Sequence, residues 1–525
     1  MIGLSKKIAF IVLIFSLSCK GQNLLDEKSY TEEDLYRPNF HFTPKKNWMN
    51  DPNGMFYING CYHLYYQYYP DGNKWGPMHW GHTISKDLVK WDEQPIALFP
   101  DHLGYIFSGS AVVDNKNTSG LGDGKNTPIV AIYTYHDPVK EKANQIDVES
   151  QGMAYSLDNG FTWEKYKNNP IVKNPGIQDF RDPKVLWDAI HKQWILVLAA
   201  HDRVKFYRSD DLKDWEYLSD FGVNFGAHDG VWECPDFFSM KVEKTGEIKW
   251  ILIQSLNPGG PNGGSGTQYF VGDFDGKNFI LDKTFVKTVE NKKAIWLDYG
   301  KDNYAGVTWN NIPKSDGRKL MIGWMANWDY AQEVPTVAWR NSMTIPRELT
   351  LLRTNKGYHI NVQPVREIES YISKTIKKGN ITVNGPKLLV DNKTADFTKA
   401  EIKFRLKNLE KNSYSFAFVN QAGEQIVFGI NNNENYLFVD RSKSGKIEFS
   451  KKFALSITKA QLDRTLKTAD IRILIDKTSI EIFFNNGEKV ITETFFPTEP
   501  FTDFKVLSTV QTEISNLIIN QFQFN

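Results

Sequence analysis

Cysteine is nearly missing from this sequence: three occur in 525 residues, at positions 19, 61 and 234. That is too few for a disulfide framework, and none sits at metal-ligand spacing. Cys61 and Cys234 either form one bridge outside the cytoplasm or stand as two buried thiols. Charge of one sign is also lacking, since 63 Lys and Arg face 62 Asp and Glu for a net charge of +1. No basic block supplies the electrostatic footprint of a nucleic-acid partner. Beyond the first twenty residues no run could span a bilayer. The glycine-rich stretch 257–266 has no Gly-Lys-Ser/Thr behind it, and no Gly-x-Ser-x-Gly elbow occurs, which removes phosphate-cradle and serine-hydrolase chemistry. His136-Asp137, His201-Asp202 and His228-Asp229 lie between strand-like runs rather than on helices, so a metal phosphohydrolase is set aside. Neither a metal nor a cofactor is expected.

Aromatic residues, in contrast, are abundant: 15 Trp, 23 Tyr and 34 Phe, 14% of the chain. Aromatic surface without net charge suits sugars. At the N-terminus Lys6 and Lys7 precede an apolar run and then Ser18-Cys19-Lys20, the layout of an export signal. Because a cysteine ends that run, segment 1–19 resembles a lipoprotein signal, with Cys19 as the acylated first residue of an exported, membrane-anchored protein. Ordinary cleavage nearby would leave a free secreted protein instead.

From Asn39 onward short β-rich runs alternate with Gly, Asn, Asp and Pro turns, and convincing helices are missing. Three segments look alike: those from Ser85 to Trp91, from Ser156 to Trp163 and from Ser209 to Trp215. Their starts are 71 and 53 residues apart, and the stretch from Gly272 to Phe279 is a degenerate fourth copy. The spacing is that of a four-stranded blade and argues for a β-propeller. After about Ser370 the texture changes to alternating strands such as Ile471 to Ile475 and Ser479 to Phe484, the latter ending in the hairpin signal Asn485-Asn486-Gly487. This reads as an antiparallel β-sandwich. The boundary falls between Ile360 and Lys378, giving an all-β chain with a propeller over 36–366 and a sandwich over 367–525.

Three carboxylates stand in unusual company. Asp51 lies in Asn50-Asp51-Pro52-Asn53-Gly54, which alone is a turn just before a strand beginning at Met55. Asp182 follows Arg181, which either pairs with it on the surface or orients it in a pocket. Glu233 is flanked by Trp232, Cys234 and Pro235; burial among them would raise its pKa, as a general acid requires.

Asn-Asp-Pro-Asn-Gly, Arg-Asp-Pro and Glu-Cys in this order resemble the β-fructosidases, glycoside hydrolase family 32. Further stretches extend the resemblance over nearly the whole mature chain: Tyr66 to Pro70, Trp75 to His82, Phe107 to Ser110, Asp298 to Ala305, Trp324 to Tyr330, Trp339 to Glu348, Val439 to Ser442 and Asp476 to Pro497. The resemblance implies a five-bladed propeller with a funnel-shaped pocket. It further implies Asp51 as nucleophile, Glu233 as general acid and base, and Asp182 as stabiliser of the transition state. Asn50, Gln67, Ser108 and Arg181 match sugar-binding positions, and Trp75, Phe107 and Trp328 an apolar wall. The implied activity is exo-hydrolysis of fructans, levan or inulin, with retention and with sucrose as a further substrate. An endo-levanase, a sucrose-restricted invertase or a fructan-binding surface protein without catalysis are the other readings. The sandwich is expected to cover an apolar face of the propeller.

Overall fold

The computed structural model describes residues 30–524; the export segment and Cys19 lie outside them. Five sheets follow one another along the chain and close into a ring. Their innermost strands are Asn47–Ile58, Tyr105–Val113, Phe180–Asp188, Val231–Lys241 and Tyr304–Thr308, each packed against the next and the last against the first. We number these blades I to V. In each the chain steps outward by antiparallel neighbours, as in blade III: Phe180–Asp188, Gln193–Ala200, Arg203–Ser209, Glu216–Phe221. The second strand of that blade is buried at every position because neighbouring blades cover both its faces, which is why it reads as a continuous apolar run. The outermost strand, Glu216–Phe221, is largely solvated. The ring is closed by Trp339–Arg340 from the blade V connection, which pairs in parallel with Asn47 and Trp48 of blade I.

The repeated serine–aspartate–tryptophan segments are the turns between the third and fourth strands of blades I, II and III. In each, one aspartate caps the turn: Asp87 accepts the backbone N–H groups of Val89 and Lys90, Asp158 those of Phe161 and Thr162, and Asp211 those of Lys213 and Asp214. Asp275 does the same in blade IV for Lys277 and Asn278. One helix was not expected. Lys283–Lys292 is capped by Asp282, whose carboxylate accepts the Thr284 N–H. Its buried face is only Phe285 and Val289, one turn apart among lysines and threonines, too sparse a pattern to stand out.

Two six-stranded antiparallel sheets form the C-terminal part, one running from the edge strand Ile372–Asn384 to Lys489–Thr494, the other from Lys387–Asp391 to Thr458–Gln461. Ser479–Phe484 and Lys489–Thr494 are a hairpin whose loop holds Asn485 and Asn486 with left-handed backbone, as the Asn-Asn-Gly signal requires. The face turned to the propeller is only partly apolar. Leu474, Phe483, Val490 and Phe522 join the propeller core, but beside them lies a buried ionic network. Arg347 of blade V donates to Asp298 at 2.7 Å and to Glu481 of the sandwich, and Arg441 pairs with Asp302 and, at 2.9 Å, with Glu493. His41 sits between Asp476 and Glu481, at 2.9 and 2.8 Å. The stretches 298–305, 339–348, 439–442 and 476–497, read in the sequence as separate signals, meet in this interface.

Candidate active site

Each inner strand carries an irregularity where it crosses the propeller axis. Pairing shifts register between Met49 and Pro52 and again before Phe56 in blade I, and between Ile106 and Gly109 in blade II. In blade III the shift lies opposite Asp182 and Pro183, in blade IV it lies between Glu233 and Asp236, and in blade V between Tyr304 and Val307. Three of these bulges contain proline directly after a site residue: Asp51-Pro52, Asp182-Pro183 and Cys234-Pro235. Proline has no N–H to give to the ladder, so it marks where pairing can break. Asp182 and Cys234 have left-handed backbone, at φ of 66° and 48°, which turns their side chains out of the strand's alternation toward the axis. The Asp-Pro-Asn-Gly segment is therefore not a turn ahead of a strand. It is the bulged middle of Asn47–Ile58.

All ten residues singled out in the sequence line one funnel of about 360 Å³ on the axis. Ser108 donates a 2.7 Å hydrogen bond to Asp51 Oδ2, and the Cys234 thiol lies 3.3 Å from the same oxygen. The Cys234 N–H donates to Asp182 Oδ2 at 3.0 Å, so the strand bearing Glu233 touches both other carboxylates. Asn50 is oriented by the Trp48 indole N–H at 2.8 Å. Trp75 meets Phe107 edge to face, and Trp328 stacks on Trp48. Cys61 and Cys234 are both free thiols.

Arg181 does not form the plain pair with Asp182 that adjacency allows, since the closest approach is 4.0 Å. It donates to Glu233 at 3.0 Å, to Glu149 at 2.9 Å and to Asp179 at 2.6 Å. The second oxygen of Glu233 accepts from the Tyr304 hydroxyl. Four carboxylates thus surround one guanidinium, and the cluster holds protons accordingly. Burial, opposed by Arg181 and reinforced by Glu233 and Asp51, pushes Asp182 up to about 8. Burial also raises Glu233, against the pull of Arg181 and Tyr304. Burial pushes Glu149 up too, but Arg181 and His136 together outweigh it and hold that carboxylate low. Such a group titrates as a unit, with a proton available near neutral pH.

Beneath the carboxylates the axis narrows to a small cavity lined by the bulges of all five inner strands, and buried side chains close it. Lys184, two residues after Asp182, pairs with Asp236, two residues after Cys234, at 3.0 Å and donates to the Thr308 carbonyl at 2.7 Å. All three are buried. The funnel therefore has one mouth. The sequence reading missed His136, Glu141, Glu149, Asp179 and Gln332 in its lining, and the hydrogen-bonding roles of Tyr304 and Cys234. Cys234 and Tyr304 lay inside motifs already noted, and His136 had been passed over with the metal reading. Asp179 opens the stretch that holds Arg181 and Asp182, while Glu149, Glu141 and Gln332 give no local signal.

A five-bladed ring that brings carboxylates with unlike protonation to the floor of an aromatic-walled, one-mouthed pocket defines a β-propeller glycoside hydrolase. Residues 41–364 match the model of the glycosyl hydrolases family 32 N-terminal domain, and 367–521 that of the family 32 C-terminal domain. The levanase of Bacillus subtilis (strain 168) is 43% identical over 498 residues, covering 94% of this chain and 71% of that protein. An extracellular exo-inulinase of Aspergillus niger is 38% identical over 517 residues, covering 92% and 93%. The crystal structure of exo-inulinase from Aspergillus awamori superposes with a TM-score of 0.84 at 34% identity, covering 94% of this chain and 99% of that one. The chain belongs to glycoside hydrolase family 32.

Proposed function

We propose that this protein is an exo-acting fructan β-fructosidase that releases fructose from the ends of levan or inulin, and from sucrose, with retention of configuration. Asp51 attacks C2 of the terminal fructosyl unit while Glu233 gives its proton to the departing glycosidic oxygen. The C2–O bond breaks and a fructosyl ester forms on Asp51. Water then enters, Glu233 takes its proton, and the water oxygen displaces Asp51 from C2, releasing fructose and restoring both carboxyls. Direct attack of this kind needs the two groups roughly 5–5.5 Å apart. Asp182 binds ring hydroxyls and stabilises the oxocarbenium-like transition state, in an acidic site that favours developing positive charge. Asn50, Gln67, Ser108 and Arg181 hold the sugar in register, and Trp75, Phe107 and Trp328 exclude water.

The observation that carries the exo reading is the closed floor of the funnel. With Lys184 and Asp236 closing the floor, a chain can enter only by its end. The relatives named levanase and exo-inulinase support fructan as substrate. Export is supported by the word extracellular in the name of one relative, and acylation of Cys19 as a membrane anchor is part of the proposal. Retention is tested by NMR of the first fructose formed. Its β-furanose form, ahead of mutarotation, is expected; the α form would refute the double displacement. Cys19→Ala should move the protein from the membrane fraction to the soluble one.

A further inference from the structure

We propose that His136 and Glu141 form the binding site for the second sugar unit, the one that carries the leaving oxygen; this rests on the β-fructosidase reading. His136 ends strand Ile129–His136 of blade II, and its ring lies flat against Phe107, centroids 4.3 Å apart and planes 10° apart. The side chain is about nine-tenths buried, yet among the described residues neither ring nitrogen has an aligned hydrogen-bond partner. Glu141 Oε2 is 3.2 Å from Nε2 but out of line, and Glu149 Oε1 is 3.7 Å from Nδ1, too far. A buried imidazole whose nitrogens make no aligned hydrogen bond is unfavourable unless something completes it. The other orphaned buried polar atoms in the funnel lining are Asp51 Oδ1 and Gln67 Nε2. Those two face the fructosyl unit under attack, and His136 is the same kind of vacancy further out.

Its place fixes which sugar fills it. Glu149 lies between His136 and Arg181, 3.7 Å from Nδ1 and 2.9 Å from the guanidinium, and Arg181 bonds Glu233 Oε1, which puts the histidine on the side of the funnel that Arg181 connects to the acid. Glu141 is projected over that wall by the short helix Pro138–Lys142. Asp137 caps the helix by accepting the N–H groups of Val139 and Lys140. The Glu141 side chain is more than half exposed and lines the mouth. An imidazole offers one donor and one acceptor, and a carboxylate only acceptors. Together they match vicinal hydroxyls of a neutral sugar, with Phe107 as the flat surface beneath.

The test compares a difructoside with methyl β-D-fructofuranoside, which has no second sugar, using the full-length protein. The ratio of kcat/KM for the difructoside to that for the methyl glycoside should fall about tenfold in His136→Ala, the worth of one good hydrogen bond, and in the same direction in Glu141→Gln. His136→Gln should recover part of it. Glu141 is solvent-exposed on a surface helix, so its variant stays informative if His136→Ala folds poorly. A wild type active on both compounds with an unchanged ratio in both variants overturns the assignment alone. A wild type inactive on both overturns the β-fructosidase reading beneath it.

Discussion

Asp51 takes two contacts at Oδ2, from Ser108 and Cys234, while Oδ1 has no hydrogen-bond partner among the described residues. The supported oxygen fixes the carboxylate, and in the proposed mechanism the open one attacks C2. Asp51→Ala should therefore lower turnover by about 10⁴-fold with the fold retained; near-normal rates from folded variant protein would remove Asp51 from the chemistry. Glu233 carries the pH dependence. Its pKa lies above the ordinary glutamate value through burial, held back by Arg181 and by the hydroxyl of Tyr304. That hydroxyl stabilises the carboxylate form, so Tyr304→Phe should raise the pKa and move the alkaline limb of kcat/KM to higher pH. A limb that stays in place, or moves down, would break the link between Glu233 and that limb. At this scale the sequence was informative because Trp-Glu-Cys-Pro and Asp-Pro-Asn-Gly are local strings. Glu149 was invisible because its importance comes from Arg181, which reaches it from the neighbouring blade, whereas Asp179 stands only two residues before that arginine.

Bulged inner strands and aspartate-capped outer turns divide the work within a blade, one aiming side chains at the axis and the other fixing the strand pair at the rim. Each capping aspartate satisfies backbone N–H groups that have no ladder partner, and those hydrogen bonds, outweighing the cost of burial, keep the carboxyl of Asp158 below its ordinary range. Asp158→Ala should cost about 1–2 kcal/mol, read as a lower urea midpoint at neutral pH. Since the folded pKa is depressed, the contribution is present above the ordinary aspartate value and lost as pH falls through the folded one, so wild type and variant should converge in acid. The turns were readable in the sequence as a repeat. The bulges were not, because aspartate, proline, asparagine and glycine favour a turn and a broken ladder for the same backbone reasons. Only the partner strand, Cys61–Tyr69, reveals which one the chain makes.

Propeller and sandwich are joined around His41, an imidazole from the segment before blade I enclosed by two sandwich carboxylates. Burial lowers its pKa, but hydrogen bonds to Asp476 and Glu481 outweigh that and lift it from 6.5 to about 9. The stabilisation is therefore complete below about pH 6.5 and disappears as pH rises through 9, and a shift of that size is on the order of 3 kcal/mol. The Tm difference between wild type and His41→Gln should be largest near pH 6 and should shrink toward pH 10; a gap independent of pH would mean that packing, not charge, joins the two units. Residues of this interface were visible only as separate strings whose meeting depends on the whole fold, as when Asp298 of the 298–305 stretch meets Arg347 and Thr492. The whole molecule also sets the central claim, since a ring closed below its carboxylates by Lys184 and Asp236 admits a substrate by its end. A product time course on levan, inulin and sucrose tests this most directly. Fructose should be the sole product from levan and inulin at the earliest times; early oligosaccharides, or no release from any of the three, would contradict the account.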